Sequence, residues 1–169
     1  MNRRDRRDRR RAEAERRRAG THAQLHRDIA ADIERDGRSV MCIGGEKDSP
    51  CFAYTIGNAL VGLPELLCVG NISAAYLLND LSQTMIDRKA AFANGELVDV
   101  GGRFPLKVID ATDNRVRDEF TIQAGQHFGR EDYAVQQVLI CDKGGRYPGD
   151  PECAAPYSNV PVLETAYRH

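Results

Sequence analysis

The first apolar pattern along the chain has a helical period. Its apolar positions are spaced four residues apart: Leu25, Ile29 and Ile33. This spacing predicts a helix over residues 22–36 with a single apolar face. Thr21 followed by Gln24 resembles a capping box, so we expect Thr21 to be the N-cap, and Gly37 fits the position just after the helix.

Two later segments also have helical spacing. One is expected to be capped by Ser73 and to reach about Ala93, where Asn94 and Gly95 form a stop signal. The other is expected to be capped by Asp113 and to end at Gly129. The apolar positions of the two segments are Leu78, Leu81, Met85 and Phe92, and then Val116, Phe120, Ala124 and Phe128.

Short β-like runs separate these helices, and turn residues separate the runs. We expect an α+β fold, with a mainly antiparallel sheet and about three packed helices, and the strand order is compatible with a split-barrel-like topology. The 169 residues suit one domain over 21–153, between an arm (1–20) and a C-terminal surface tail (154–169). The β-like runs are residues 39–43, 51–57, 65–70, 97–100, 104–111 and 134–141.

Charge is distributed unevenly between the arm and the rest of the chain. The net charge is -1, yet residues 1–20 hold ten Arg and four acidic residues, which leaves the remainder at -7. The arm has no apolar stripe, so we expect disorder or a frayed helix, and a nucleic-acid or ribonucleoprotein partner. The arginines are Arg3, Arg4, Arg6, Arg7, Arg9, Arg10, Arg11, Arg16, Arg17 and Arg18.

The remaining composition indicates a cytoplasmic protein. No apolar run approaches the roughly 20 residues needed to cross a bilayer, and the arginine-dense N-terminus has no apolar signal core. The five cysteines contain no C-x-x-C pair, so we expect reduced thiols and no metal site.

Three strings resemble a bacterial and phage family of unknown function. They are PCFAYTIG (50–57), LPELLCVGNISAAYLLNDL (63–81) and VQQVLICDKGGRYPGDP (135–151). The family pattern reads F-A-Y-T-x-G-L, H-P-E-L, A-x-x-L-L-N and Q-V-V-W-P-D-x-x-G-R-F-P-W. The resemblance covers residues 38–152 and implies a shared fold, but it implies no reaction. Leu63 stands where the family often has His, and Ile140 and Gly149 stand where it often has Trp.

A few polar positions are candidate ligand contacts. Tyr54 and Thr55 are neighbours on a predicted strand, where one of them could line a ligand site, although a core Tyr and a locally bonded Thr are the favoured interpretation. Arg103 and Arg146 each follow a Gly-Gly pair, and such turns can form an anion-binding nest, although an ordinary hairpin-like turn is the favoured interpretation.

Two titratable residues are weaker candidates for a site. Glu65 would need a raised pKa to act as a general base, and a strand-end surface acid is the favoured interpretation. His127 lies near a predicted helix end, where a charged capping role competes with catalysis or ligation.

Three functions therefore stay open on the sequence alone. The first is a non-enzymatic protein that docks on RNA, DNA or a ribonucleoprotein through its arm. The second is a phage or mobile-element protein that modulates a host protein machine. The third is a domain that binds a small ligand such as a flavin or a nucleotide. The sequence assigns no cofactor and does not decide whether the protein is an enzyme.

Overall fold

The computed structural model of the protein describes residues 3–128 and 132–164, and it describes their side chains except those of residues 3–5 and 72. Within these ranges the chain forms four α-helices, six strands and three short 3-10 helices. The helices are α1 (Arg3–Asp36), α2 (Ala75–Arg88), α3 (Asn114–Glu119) and α4 (Ile122–Phe128). The strands are β1 (Ser39–Ile43), β2 (Phe52–Ile56), β3 (Glu65–Val69), β4 (Glu96–Val98), β5 (Leu106–Asp110) and β6 (Val135–Leu139).

The six strands form one sheet in the order β1-β2-β3-β6-β5-β4. Four of its five strand pairs are antiparallel, and β3 with β6 is the parallel pair. The expected α+β fold with a mainly antiparallel sheet is confirmed. The sheet is open, with β1 and β4 at its edges, so the split-barrel-like topology is wrong.

Helices cover both faces of the sheet. Leu66 and Cys68 face the core that α2 covers, whereas Leu67 and Val69 face the core that α1, α3 and α4 cover. Since successive strand residues point to opposite faces, all five residues of β3 are buried. Tyr54 and Ile56 lie on the second face, as their spacing predicts.

The second half of α1 docks on this second face. Ile29 is 1% exposed, and the partly buried Leu25 and Ile33 pack around it. Beyond α1, Gly37 takes the expected left-handed conformation with a φ of 82°. The chain then reverses between Asp36 and Ser39 so that β1 contacts α1, and Ser39 Oγ donates to Asp32 Oδ2 at 2.8 Å across the reversal. Helix α1 therefore runs antiparallel to β1.

The expected start of this helix is wrong. Helix α1 passes through Gly20 without a break, and Thr21 Oγ1 donates to the carbonyl oxygen of Arg17 at 2.9 Å. A Ser or Thr hydroxyl inside a helix commonly bonds to the carbonyl four residues earlier, so Thr21 is an interior residue and not an N-cap. Gln24 donates to Asp28 at 2.7 Å instead of completing a capping box.

Other helix boundaries also differ from expectation. Helix α2 ends at Arg88, five residues early, because Lys89 adopts a left-handed conformation. At its other end, Ser73 donates its backbone N–H to Asn71 Oδ1 at 3.0 Å and is not the cap. Asp113 does cap α3, since its side chain accepts from Arg115 N, but the expected single helix is divided into α3 and α4.

The C-terminal segment is attached to the sheet through Gln137. The amide of this fully buried residue donates to Pro161 O at 2.7 Å, and its oxygen accepts from Leu163 N at 2.8 Å. Residues 154–164 therefore follow the surface with fixed contacts. Among the described helices, none combines the length and the apolar character that a membrane crossing requires.

Candidate nucleic-acid interface

The first half of α1 extends away from the body of the protein. Every residue from 6 to 24 is exposed, whereas the helix becomes partly buried from Leu25 onward. At 1.5 Å per residue, residues 3–20 make an arm about 27 Å long. Residues 3–20 are the part of the arm that the structure describes. In the structure these residues belong to one regular helix, and the disorder or fraying that the composition predicts for the arm stays a prediction.

Helical geometry sorts the charges of the arm onto two sides. At 100° per residue, six arginines fall within an arc of about 140° that contains no acidic residue. These six form the basic face: Arg6, Arg7, Arg10, Arg11, Arg17 and Arg18. Asp8, Glu13 and Glu15 lie outside the arc together with Arg9 and Arg16. The side chains of Arg3 and Arg4 lie outside those that the structure describes.

The acidic residues leave most of the basic face open to a partner. Arg11 Nε bonds to Glu15 Oε1 at 3.1 Å, and the two side chains are 82% and 66% exposed. Such an exposed i,i+4 pair stabilises a helix by only a few tenths of a kcal/mol. The pair lies at the border of the arc, so the arginines inside the arc still point to solvent.

The residues that carry the family resemblance point inward. Thr55 Oγ1 donates to Glu65 Oε2 at 2.6 Å, and Glu65 Oε1 accepts the backbone N–H of Gly57 at 2.9 Å and of Ala59 at 3.0 Å. Glu65 and Thr55 are both 0% exposed. The surface-acid interpretation of Glu65 is therefore wrong. We call Thr55, Gly57, Asn58 and Glu65 the hairpin cluster, because it holds the connection between β2 and β3.

Burial and hydrogen bonding act in opposite directions on Glu65. Loss of solvent raises the pKa of this carboxyl above its ordinary value, and the hydrogen bonds from Thr55, Ala59 and Gly57 oppose the rise. A raised pKa would suit a general base, but a fully buried side chain presents no atom to a substrate. The arrangement is a structural one, in which the carboxylate caps the first N–H groups of a 3-10 helix (Asn58–Val61).

Asn58 extends the cluster to the neighbouring helix. Its amide nitrogen donates to Thr55 Oγ1 at 3.2 Å, to Pro64 O at 3.2 Å and to Ser82 Oγ on α2 at 2.9 Å. Its buried Oδ1 has no hydrogen-bond partner among the described residues. Sequence reasoning missed Asn58, since an Asn beside a Gly in a turn is typical of many loops.

Tyr54 is a core residue on the opposite face. It is 0% exposed, and its hydroxyl donates to Gln123 Oε1 on α4. Burial raises the pKa of the Tyr54 hydroxyl well above its usual range. The packing agrees with the structural interpretation of Tyr54 and Thr55, and neither side chain reaches a surface that a ligand could enter.

The second Gly-Gly turn is occupied by the protein's own carboxylate. Asp142 Oδ1 accepts from Gly144 N at 2.8 Å and from Arg146 N at 3.0 Å, and its Oδ2 accepts from Ala154 N at 2.8 Å. These hydrogen bonds, first the one from Arg146, lower the pKa of Asp142. The exposed Arg146 guanidinium bonds to Glu152 O at 3.0 Å.

The two Gly-Gly-Arg-aromatic turns lie side by side. A Cβ on Gly145 would come within 2.9 Å of the Phe104 ring, so the ring packs directly on the glycine. Tyr147 donates its hydroxyl to Pro105 O at 2.7 Å, and the Arg103 guanidinium lies 5.2 Å from the Phe104 ring centroid. Anion binding by Arg103 and Arg146 stays a prediction.

His127 lies at the root of the arm. Burial first, and then the nearby His26, lower the pKa of His127, and this direction disfavours a charged ring. A charged capping role for His127 stays a prediction. His22 lies close by and pairs with Gln126 Oε1 at 3.1 Å, so α1 contacts the body just before the arm begins.

Together these features define an α+β domain with a rigid interior and a basic helical arm. Residues 32–154 match a family described as Domain of unknown function (DUF4262), and the chain belongs to that family. No curated protein matches the chain. No solved structure matches it. The arm precedes the matched residues, so its role is a separate question from that of the family domain.

Proposed function

We propose that this protein binds nucleic acid, and RNA in preference to duplex DNA, through the basic face of its arm. The observation that carries the proposal is the sorting of six arginines onto one side of the helical arm, where every described side chain is exposed. A face that folding does not need requires another explanation. Phosphate binding supplies one, since the guanidinium group bonds two phosphate oxygens at once.

The composition of the arm favours this partner over simple solubility. All ten basic residues of the arm are Arg and none is Lys. Solubility alone would not distinguish the two residues, whereas bidentate bonding and stacking on bases favour Arg. Arginine-rich segments also commonly bind RNA, which places RNA ahead of duplex DNA.

The body contributes little to phosphate attraction. Outside residues 1–20 the chain sums to -7, so the long-range attraction for a polyanion comes from the arm and not from the net charge of the body. This asymmetry orients the complex with the nucleic acid at the arm end. With all five cysteines free, the protein suits the reducing cytoplasm, where RNA is abundant.

Two double variants test the face directly. Arg10→Gln with Arg17→Gln removes two charges from the basic face, and Arg9→Gln with Arg16→Gln removes two charges at the same spacing from the other side. The first variant should bind RNA more weakly and reduce the slope of log K against log salt by about 1.4–1.8, at 0.7–0.9 per phosphate contact. The second should change the slope by less than half as much. Equal losses in the two variants would show that total charge acts and the face does not.

Deletion of residues 1–19 supplies the baseline. The melting temperature should stay nearly unchanged, because every described side chain among the deleted residues is exposed. Binding to RNA, duplex DNA and heparin at two salt concentrations should be lost. Equal and weak binding by the full chain and the deletion variant would remove the nucleic-acid proposal and leave a protein partner as the leading candidate.

A further inference from the structure

A cleft of about 360 Å³ lies at the carboxyl ends of β3 and β6. These strands are the parallel pair of the sheet, and their connections diverge. From β3 the chain passes to α2 on one face, whereas from β6 it passes to the C-terminal segment that returns over the other face. In open sheets, ligands commonly bind at the carboxyl ends of strands where neighbouring connections separate.

The lining of this cleft is suited to a neutral, largely flat ligand. Val69, Ile140 and Val160 supply apolar walls, Tyr157 supplies an aromatic ring, and no charged residue is among the lining residues that the structure describes. A charged ligand would lose its hydration here without gaining a partner of opposite charge.

The cleft also holds polar groups without partners. Asn71 Oδ1 accepts from Ser73 N at 3.0 Å, which leaves the Asn71 amide nitrogen without a bond to any other described residue. The Tyr157 hydroxyl and the Asn159 side chain likewise make no hydrogen bond within the described part of the chain. Ligand sites combine apolar walls with a few such polar groups that fix orientation.

The arm and the cleft lie at the same end of the molecule. Helix α1 is antiparallel to β1, so the arm leaves the body beyond the end of the sheet where β1 finishes and β2 starts. Pro50 and Cys51, just before β2, line the cleft. A strand of nucleic acid held by the arm therefore lies at the end of the sheet where the cleft opens.

We propose that the cleft receives one unpaired base of the nucleic-acid strand whose phosphates contact the arm. A base is neutral and planar, stacks on an aromatic ring and presents donors and acceptors that match the amide of Asn. This inference rests on the proposed function, and it adds that the protein prefers single-stranded over fully paired nucleic acid.

Affinity for a short fluorescent single-stranded RNA of mixed sequence tests the proposal in the full chain. Tyr157→Ala should weaken binding by about 5- to 100-fold, the range for loss of one base–aromatic stack. The salt slope should not change, because no phosphate contact is removed. Tyr76→Ala is the matched control, since Tyr76 is 64% exposed on α2 and is not one of the residues that line the cleft.

A thiol readout avoids any effect of a substitution on folding. Cys51 lines the cleft and is partly exposed, whereas Cys42 is exposed on the edge strand β1. Bound RNA should slow the alkylation of Cys51 and leave Cys42 unchanged, as peptide mass spectrometry can measure. Duplex RNA, at a concentration that occupies the arm to the same extent as the single-stranded RNA, should slow the alkylation of neither thiol.

The outcomes separate the two proposals. If the wild-type protein shows no salt-dependent binding, the proposed function fails and the base site fails with it. If the wild-type protein binds but Tyr157→Ala matches it and Cys51 stays unprotected, the base site alone is wrong. Free nucleosides are the third ligand to be tested. Protection of Cys51 by nucleosides but not by RNA would overturn the assignment to a strand and make a free nucleoside the ligand.

Discussion

The hairpin cluster and the arm use charged residues in opposite ways. Glu65 is 0% exposed and receives three hydrogen bonds from its own hairpin, so its carboxyl group holds the hairpin together. The arginines of the basic face are exposed, and the fold makes little use of them. Burial of a carboxyl group is costly unless hydrogen bonds compensate, and the hairpin cluster offsets part of that cost.

This contrast shows why residues that define a family need not mark its site. Thr55, Gly57 and Glu65 belong to the strings that resemble the family, and the structure assigns them to a buried turn. The arm, in contrast, lies outside the matched residues 32–154. Its arginines are exposed on one side of a helix. Stability should therefore be sensitive to the hairpin cluster, and binding should be sensitive to the arm.

The largest loss of stability is expected for Glu65→Ala. This substitution leaves the Thr55 hydroxyl and the N–H groups of Gly57 and Ala59 buried without an acceptor, and each orphaned group costs about 1–3 kcal/mol. We expect the free energy of unfolding to fall by about 3–5 kcal/mol in chemical denaturation. Glu13→Ala, an exposed acid of the arm, is the control and should change it by less than about 0.5 kcal/mol. A small effect at Glu65 would show that the hairpin does not depend on its carboxylate.

The next largest effect is expected where the two regions join. Ile29 is 1% exposed and anchors the docked half of α1, so Ile29→Ala should cost about 2–4 kcal/mol in unfolding free energy. Ile86→Ala on α2 serves as the comparison, because Ile86 is 37% exposed and should lose about 1 kcal/mol or less. Similar costs for the two substitutions would mean that α1 is not part of the core.

Much of the body could be predicted from local patterns. The four-residue spacing of Leu25, Ile29 and Ile33 depends only on helix geometry, and the α+β class follows from the alternation of strand and helix patterns. Glu65 could not be placed in the same way. Its burial depends on Thr55 and Asn58, which the β2–β3 hairpin brings together, and a strand that starts with Glu is ordinarily exposed at that end.

The start of α1 shows a second kind of limit. Thr21 is equally able to cap a helix or to bond backward inside one, and sequence alone does not choose between the two. The choice depends on whether residues 3–20 are helical. Once they are, the basic face follows from residue spacing alone. The cleft, in contrast, depends on β3 and β6 becoming neighbours, which no local pattern indicates.

A moderate effect is expected at Tyr54. Tyr54→Phe removes the hydrogen bond to Gln123 and should cost about 1–2 kcal/mol at neutral pH. Because the folded pKa of Tyr54 is raised above its ordinary value of 10.0, the hydroxyl's contribution is complete below pH 10 and declines as the pH rises above it. The stability difference between wild type and Tyr54→Phe should therefore shrink above that pH in denaturation series. A constant difference would mean that Tyr54 ionises normally in the folded protein.

The smallest effect is expected at Gly20, and it tests the arm alone. Gly20 lies inside α1, and a Cβ there would meet no atom within 4 Å. Gly is about 0.8–1.0 kcal/mol less favourable than Ala in a helix interior, so Gly20→Ala should increase helicity in far-UV circular dichroism. A more ordered basic face loses less conformational entropy on binding, and RNA affinity should rise by about 2- to 5-fold as a result.

Gly95→Ala is the opposite control for Gly20→Ala. Gly95 has a φ of 82° in the turn before β4, a conformation that disfavours a side chain, so the same substitution should destabilise the body there. RNA affinity of the folded Gly95→Ala protein should equal that of wild type, because the arm is untouched. If Gly20→Ala changes neither helicity nor affinity, the arm does not bind RNA as a helix. The arrangement of six arginines on one face would then not determine RNA binding.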